Sequence, residues 1–242
     1  MQLNTVVMSQ FPLCLQRFIE MAHEKTFKKG DVLYFNDVDV DAFQVVISGR
    51  LQRIGSCEQV TENDFYNDKG RDVIFDYLSR GDLIGEEMIT ITSGVKSKHN
   101  ATIEAKTDGV IASMGMMALQ RFKLKYPAEY YDLLELTFEI MKRRTAMYMR
   151  VINEMVNLDA RERVRTNLNR LCHDDSAVRA TNGIEVRISR CDLGKVVGCS
   201  REVAGRVVNE LISAGYLESD GKRILIIGGE IPDIFNVAGG IA

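Results

Sequence analysis

In the stretch GCSREVAGRVVNEL (198 to 211), Arg201, Glu202, Arg206 and Asn209 recur at a spacing that places them on one side of a helix, opposite Ala204, Val207, Val208 and Leu211. An arginine offers paired donors that fit guanine O6 and N7, and a glutamate accepts from cytosine N4, each good pair discriminating by about 1 to 3 kcal/mol. The chemistry on offer is hydrogen bonding to base edges rather than bond making. Ser200 is placed to cap this helix at its start. Gly205 costs about 1 kcal/mol against Ala in a helix interior, so its presence suggests a close approach by another helix.

These residues need a scaffold, and the flanking sequence supplies one. Ser189, with Asp192 three residues on, resembles a capping box that starts a shorter helix, in which Leu193, Val196 and Val197 face inward. Gly198 then permits the turn between the two helices. Downstream, GYLESDGKRILIIG reads as a strand pair turning at Asp220 and Gly221, with Lys222 and Arg223 forming a basic wing for phosphates. Arg190, near the first helix start, can hold the nucleic-acid backbone too. The competing reading is a winged helical fold used only for protein contacts.

Glycine usage divides the rest of the chain. Nine glycines fall between Gly30 and Gly115, none from Met116 through Asn182, and ten follow. The first region carries short apolar runs, VLYF (32 to 35), FQVVI (43 to 47), VIFDYL (73 to 78), ATIEA (101 to 105) and VIASM (110 to 114), which suggest an all-β sandwich or barrel-like roll. The polar segment from Ser56 to Asp72 reads as a long excursion at a hairpin. After Pro127 a stretch without Gly or Pro carries one apolar stripe at Leu134, Phe138, Met141, Tyr148, Ile152 and Met155 and a second at Leu136, Ile140, Met147 and Val151. One stripe can dock on the β domain and leave the other to meet an identical helix. ARERVRTNLNRLC (160 to 172) is a further amphipathic helix with Val164, Leu168 and Leu171 inward, HDDSAVRATNG a polar loop, and IEVRI a short strand. The Gly-rich tail from Gly229 is expected to be loosely ordered.

Composition excludes several classes. With 242 residues, 45% of them hydrophobic, the chain is long enough for two domains with real cores, and a net charge of −3 leaves no global footprint for nucleic acid or anionic membrane. Between Asp159 and Ile227, however, twelve Lys/Arg stand against ten Asp/Glu, so the rest is the acidic part. Five scattered cysteines fit no disulfide framework, zinc site or iron-sulfur cluster, and suit a reducing cytoplasm. No signal peptide or membrane span is expected, and no catalytic constellation or phosphate loop points to an enzyme.

The chain resembles the cAMP receptor protein and fumarate-nitrate regulator (CRP/FNR) transcription factors over roughly residues 27 to 228. The resemblance rests on GDLIGEE (81 to 87), KRR (142 to 144), NLDARERV (157 to 164) and above all GCSREVAGRVVNEL. It implies an α+β fold: a cyclic-nucleotide-binding-like double-stranded β-roll over 1–126, a long dimerisation helix over 127–158, a winged helix-turn-helix over 159–228, and a tail over 229–242. It further implies a homodimer, an inverted-repeat operator of TGTGA type read by Arg201, Glu202 and Arg206, DNA bending, and contact with RNA polymerase through the region near His173 to Gly183. In the effector pocket, Gly85 and Glu86 match the pair that contacts ribose. His99 and Asn100 stand where relatives hold the cyclic phosphate with Arg and Ser, and Tyr148 and Met149 stand where a Thr-Ser pair reaches adenine. Losing that arginine removes the strongest anion contact, so cAMP is not the expected effector; another nucleotide, with Lys96, Lys98 and His99 toward its phosphate, or no ligand are the alternatives. His23, His99 and His173 read as ordinary surface or structural histidines rather than haem ligands. The rival function is a nucleotide-sensing or protein-interaction module whose C-terminal domain does not read DNA.

Overall fold

The computed structural model describes residues 8–55, 72–90, 97–174 and 176–233, so residues 56–71 of the hairpin excursion, Lys96 and the last nine residues of the tail lie outside the described residues. The chain divides into two compact units, with the boundary inside the long helix after Tyr148.

The first unit opens with helix α1 (Leu13–Met21) and folds into two four-stranded sheets. One has β1 (His23–Phe27), β8 (Gly109–Gly115), β3 (Ala42–Ser48) and β6 (Leu83–Ile84) in that order. The other has β2 (Val32–Tyr34), β7 (Thr102–Ala105), β4 (Leu51–Gly55) and β5 (Val73–Leu78). Strand β3 is buried on both faces, which is why its sequence lacks polar alternation. Its Phe43, Val45 and Ile47 join Leu15, Phe18 and Phe122 beneath the helices, while Val46 joins Phe27, Leu51, Leu78, Ile103 and Ile111 inside the roll. The five strands expected from apolar runs are all present. Strands β1 and β4 and the two-residue β6 were not anticipated, because HEKTF and LQRIG are too polar to read as core strands.

Helix α2 (Met116–Lys125) follows the roll, and α3 (Pro127–Asn157) runs for 31 residues, about 46 Å at the usual rise. The face of α3 that docks on the roll is Tyr130, Leu133, Thr137, Ile140 and Arg144, at helical spacing of three and four. Ile140 of the second expected stripe docks, and Phe138, Met141, Ile152 and Met155 of the first are exposed, as one docked and one free stripe would have it; Leu133 was missed. Because two of the five docking residues are polar, an apolar count alone does not delimit the docking face.

In the second unit α4 (Ala160–Leu171) is capped by Asp159, whose carboxylate accepts from the Arg161 and Glu162 amides at 2.8 and 2.9 Å. A four-stranded sheet follows, ordered β11 (Leu217–Asp220), β12 (Arg223–Ile227), β10 (Gly183–Arg187), β9 (Val178–Ala180). Strand β9 lies where a polar loop was expected, its side chains all exposed and so without an apolar signature. The wing turn is Gly221–Lys222, one residue later than expected, because Asp220 still pairs with Arg223. Two helices, α5 (Arg190–Val197) and α6 (Arg201–Ser213), pack on this sheet through Leu193, Val197, Ala204, Val207, Val208 and Leu211.

The core does not stop at residue 228. Ile231 is fully buried in the same cluster, and its backbone is held by the Asn169 amide, which donates to the Ile231 carbonyl at 2.9 Å and accepts from its N–H at 2.8 Å. The start of the expected loose tail is thus part of the second unit. Replacing Ile231 with Ala should lower the stability of this unit by about 2 to 5 kcal/mol. Urea denaturation followed on the second unit measures it; an unchanged midpoint would remove this segment from the core.

Candidate functional site

Two regions carry the residues singled out by sequence. In the second unit, Ser189 accepts from the Asp192 amide at 3.0 Å and starts α5, Gly198 ends it in the left-handed conformation at φ 68°, and Ser200 accepts from the Val203 amide at 3.2 Å to start α6. The expected caps and turn are therefore all formed. Arg163 adds a brace that was not anticipated: its guanidinium donates to the carbonyls of Val197 at 2.9 Å and Leu158 at 2.7 Å, tying the end of α5 to the entry of α4. Of the α5 residues expected inward, Leu193 and Val197 are buried and Val196 only partly so.

The outward face of α6 carries Arg201, Glu202, Arg206 and Asn209, all exposed, and with Arg190 and Gly205 they line a single groove. Gly205 corrects an expectation. A Cβ there would make only an ordinary contact, 3.5 Å, with the Arg190 side chain at the start of α5, so no close helix approach requires glycine. The close helix approach is at Gly194 instead, where a Cβ would sit 2.8 Å from the Cys199 carbonyl oxygen. Gly205 leaves the middle of the exposed face open to an incoming group, and Arg190 lies across it to reach Asn209 Oδ1 at 3.4 Å. Lys222 is exposed in the wing turn. Four positive or donor-bearing side chains around an open floor make a surface that can hydrogen-bond a ligand rich in acceptors.

The second region is the interior of the roll. Gly85 has φ 71°, and a Cβ on it would fall 2.2 Å from the Ala42 carbonyl oxygen, so glycine is required there by backbone geometry alone. The chain then enters a short 3-10 helix (Glu86–Thr90) that points Glu86 into a buried set of charges. Glu86 Oε1 accepts from Arg53 Nη2 at 2.9 Å and from Arg144 Nη1, while Arg144 Nη2 donates to the Leu83 carbonyl at 2.9 Å. Asp76 closes the set, its carboxylate 3.8 Å from Arg53 Nε and 3.6 Å from Arg144 Nε. All four side chains are 7 to 9% exposed. Tyr148 donates to Asp76 Oδ2 at 3.4 Å.

The protonation pattern follows from burial opposed by charge. Burial favours the neutral form of Glu86, but Arg53 and Arg144 beside it hold its carboxyl below the ordinary range. For Asp76, at longer range from both cations, burial wins and its carboxyl is raised. His99 is also buried, stacked on Tyr34 with ring centroids 4.2 Å apart, and its Nε2 has no hydrogen-bond partner. Burial lowers its imidazole below the ordinary 6.5 despite Asp41 and Glu86, so it is neutral near pH 7. Burial likewise pushes the Tyr34 phenol up to about 12. Asn100, expected beside His99 in the pocket, is exposed, and Lys98 is exposed and paired with Asp37 at 3.0 Å.

Arg53, Asp76 and Arg144 were not singled out as site residues. The signal was present: Asp76 shares the inward parity of Ile74 and Leu78 in β5, Arg53 that of Leu51 in β4, and Arg144 falls four residues after Ile140 on the docking face. Three charges at inward positions imply one another as partners. No group of His, Cys, Asp or Glu among the described residues is arranged to hold a metal ion.

Residues 24–126 match the cyclic nucleotide-binding domain family, and residues 162–228 the Crp-like helix-turn-helix domain family. The chain is 28% identical over 215 residues to the cAMP-activated global transcriptional regulator Vfr of Pseudomonas aeruginosa, covering 88% of this chain and 94% of that one. It is 24% identical to the CRP-like protein Clp of Xanthomonas campestris pv. campestris, with 88% of each chain covered. Among solved structures, that of the c-di-GMP responsive global regulator CLP of Xanthomonas campestris matches with a TM-score of 0.77 at 23% identity, covering 89% of this chain and 98% of that one.

Neutral, buried His99 sets a pH test. The unfolded chain takes up a proton below pH 6.5 that the folded roll refuses, so stability is full above that value and is lost as pH falls from it toward the lowered folded value. In His99→Phe, which keeps a ring against Tyr34, the thermal midpoint of the first unit should fall less between pH about 7 and about 5.5. Equal losses in both proteins would contradict a buried neutral imidazole.

Proposed function

Because the chain belongs to the CRP/FNR family of transcription factors, we propose that it acts as a homodimer that reads a palindromic TGTGA-type operator and does not take cAMP as its effector. The observation that carries the DNA reading is the outward face of α6, where Arg201, Glu202 and Arg206 surround the open floor at Gly205. Arg201 and Arg206 are assigned to guanine and Glu202 to cytosine, with Asn209 and Arg190 at the edge of the same face and Ser200 and Lys222 toward phosphate. The exposed stripe of α3, Phe138, Met141, Ile152 and Met155, supports self-association, since apolar side chains at this spacing are costly to leave in water. A two-fold dimer would present its two α6 helices about 34 Å apart, one turn of duplex, which makes the operator an inverted repeat. Contact with RNA polymerase near His173 belongs to the same proposal, supported by the exposure of His173 and β9. A cytoplasmic site of action accords with a DNA target, and no helix among the described residues is long and apolar enough to cross a membrane.

The case against cAMP rests on charge. A cyclic phosphate needs a cation, position 99 offers a neutral imidazole, and Arg53 and Arg144 are already bonded to Glu86. The relatives themselves differ, Vfr being described as cAMP-activated and CLP as c-di-GMP responsive. Calorimetry with cAMP should give no micromolar binding; such binding coupled to tighter operator affinity would reverse this conclusion.

The DNA reading is tested by substitution. Arg206→Ala should relax preference at one G·C pair by about 1 to 3 kcal/mol, whereas Lys222→Ala should weaken all sequences alike and reduce the salt slope by about one. Equal affinity for a TGTGA-type palindrome and a scrambled duplex would favour a protein-interaction module instead. Gly205→Ala separates fold from function: the helix should gain up to about 1 kcal/mol while operator affinity falls, because the new methyl occupies the open floor. A variant that binds operator as tightly as the parent would show that nothing approaches α6 there.

A further inference from the structure

Arg190 stands where the second unit gains nothing from a cation. It is the first residue of α5, directly after the Ser189 cap, and a positive side chain in the first turn of a helix opposes the helix dipole. No carboxylate pairs with it among the described residues; its guanidinium donates instead to Asn209 Oδ1 at 3.4 Å. The side chain is half-buried, whereas Arg201 and Arg206 are exposed. It runs beside Gly205, where an added Cβ would lie 3.5 Å from its Cδ, and ends on Asn209, four residues further along α6.

That bond sets what Asn209 can offer. A guanidinium has donors only, so the Asn209 oxygen must face Arg190 and the amide nitrogen must face away. An asparagine reads adenine by accepting from N6 while donating to N7, which needs its oxygen turned to the base. Here a cation holds that oxygen, and what remains on this exposed face is a row of donors: the amide N–H groups of Asn209 and the free N–H groups of Arg190. Donors side by side suit guanine, with O6 and N7, and thymine, with O4; adenine and cytosine carry an amino group in place of the keto oxygen, which would meet an N–H with an N–H. Asn209 stands three residues beyond Arg206, about 4.5 Å along α6, more than one base step of about 3.4 Å, so the donor row faces a different base pair from Arg206.

We infer that Arg190 and Asn209 act as one specificity-determining unit, which selects a keto-bearing base, guanine or thymine, over an amino-bearing one at a base pair of its own. This rests on the operator-reading function proposed above and gives both residues a sharper place in it. Arg190 serves a base edge through Asn209 rather than the phosphates, and the groove it lines with Arg201, Glu202, Gly205 and Arg206 is a single reading surface built from both helices.

The test is selection by the full chain from a library of inverted repeats with randomised half-sites, sequenced after binding, with affinities for single duplexes measured by fluorescence anisotropy. Besides the positions that Arg206→Ala disturbs, wild type should show one position at which guanine or thymine is enriched over adenine or cytosine on the same strand by about tenfold, within the range of a good base contact. Arg190→Ala and Asn209→Ala should both lose that preference, at the same position, while keeping the thermal midpoint, the other preferences and the salt slope. Asn209→Asp keeps an oxygen for Arg190 but has no N–H, so it should turn the preference toward cytosine, whose amino group donates. This variant decides alone should an alanine variant not fold, and an unchanged preference in it overturns the inference. Two further results overturn it while the DNA reading stands: a selected TGTGA-type repeat with no keto preference of this kind, or an Arg190→Ala that weakens all duplexes alike and lowers the salt slope, as loss of a phosphate contact would. If no sequence is enriched at all, the DNA reading fails and the inference with it.

Discussion

A guanidinium taken out of water must be given oxygens, and Arg144 imposes that demand on the whole first unit. Its needs are met by Glu86 and the Leu83 carbonyl, which fixes the end of β6 and the short helix after it. Glu86 can be there only because the chain turns at Gly85 with its backbone pressed against Ala42 of β3. A single carboxylate oxygen shared by two arginines leaves net positive charge, which Asp76 of β5 balances. Elements from both sheets and the long helix are thus tied at one point, and replacing any member alone would strand a buried charge.

The second unit solves a different problem, bringing two helices close enough to turn sharply while keeping one face of α6 free. Two glycines divide the task. Gly194 lets the backbone of α5 meet the turn before α6, where any side chain would collide with the Cys199 carbonyl. Gly205 lies among exposed charged residues with almost nothing above it. Packing within the chain therefore gives no reason for a glycine there, although it costs the helix about 1 kcal/mol against alanine.

The winged helix was legible in the sequence because its signals are local: Ser189, Gly198 and Ser200 mark helix ends by short-range hydrogen bonds and backbone conformation, and all three act as read. The strands with continuous apolar runs were legible for the same reason. What escaped depends on contacts distant in sequence. The docking face of α3 includes Thr137 and Arg144, which look like solvent-facing residues until Glu86, 58 positions away, is known to meet the second of them. Gly205 was given the role of Gly194 because a helix interior glycine does not disclose what stands over it. Ile231 looked like tail because no local pattern announces a partner such as Asn169, 62 residues earlier.

The chain uses arginine in two opposite ways. At Arg201 and Arg206 the guanidinium groups are exposed and available for an anion. At Arg53 and Arg144 they are buried and bonded to the chain's own carboxylates. The buried set is nevertheless incompletely satisfied, since Arg53 Nε, Asp76 Oδ1 and Glu86 Oε2 are buried without hydrogen-bond partners, a costly arrangement in a dry site.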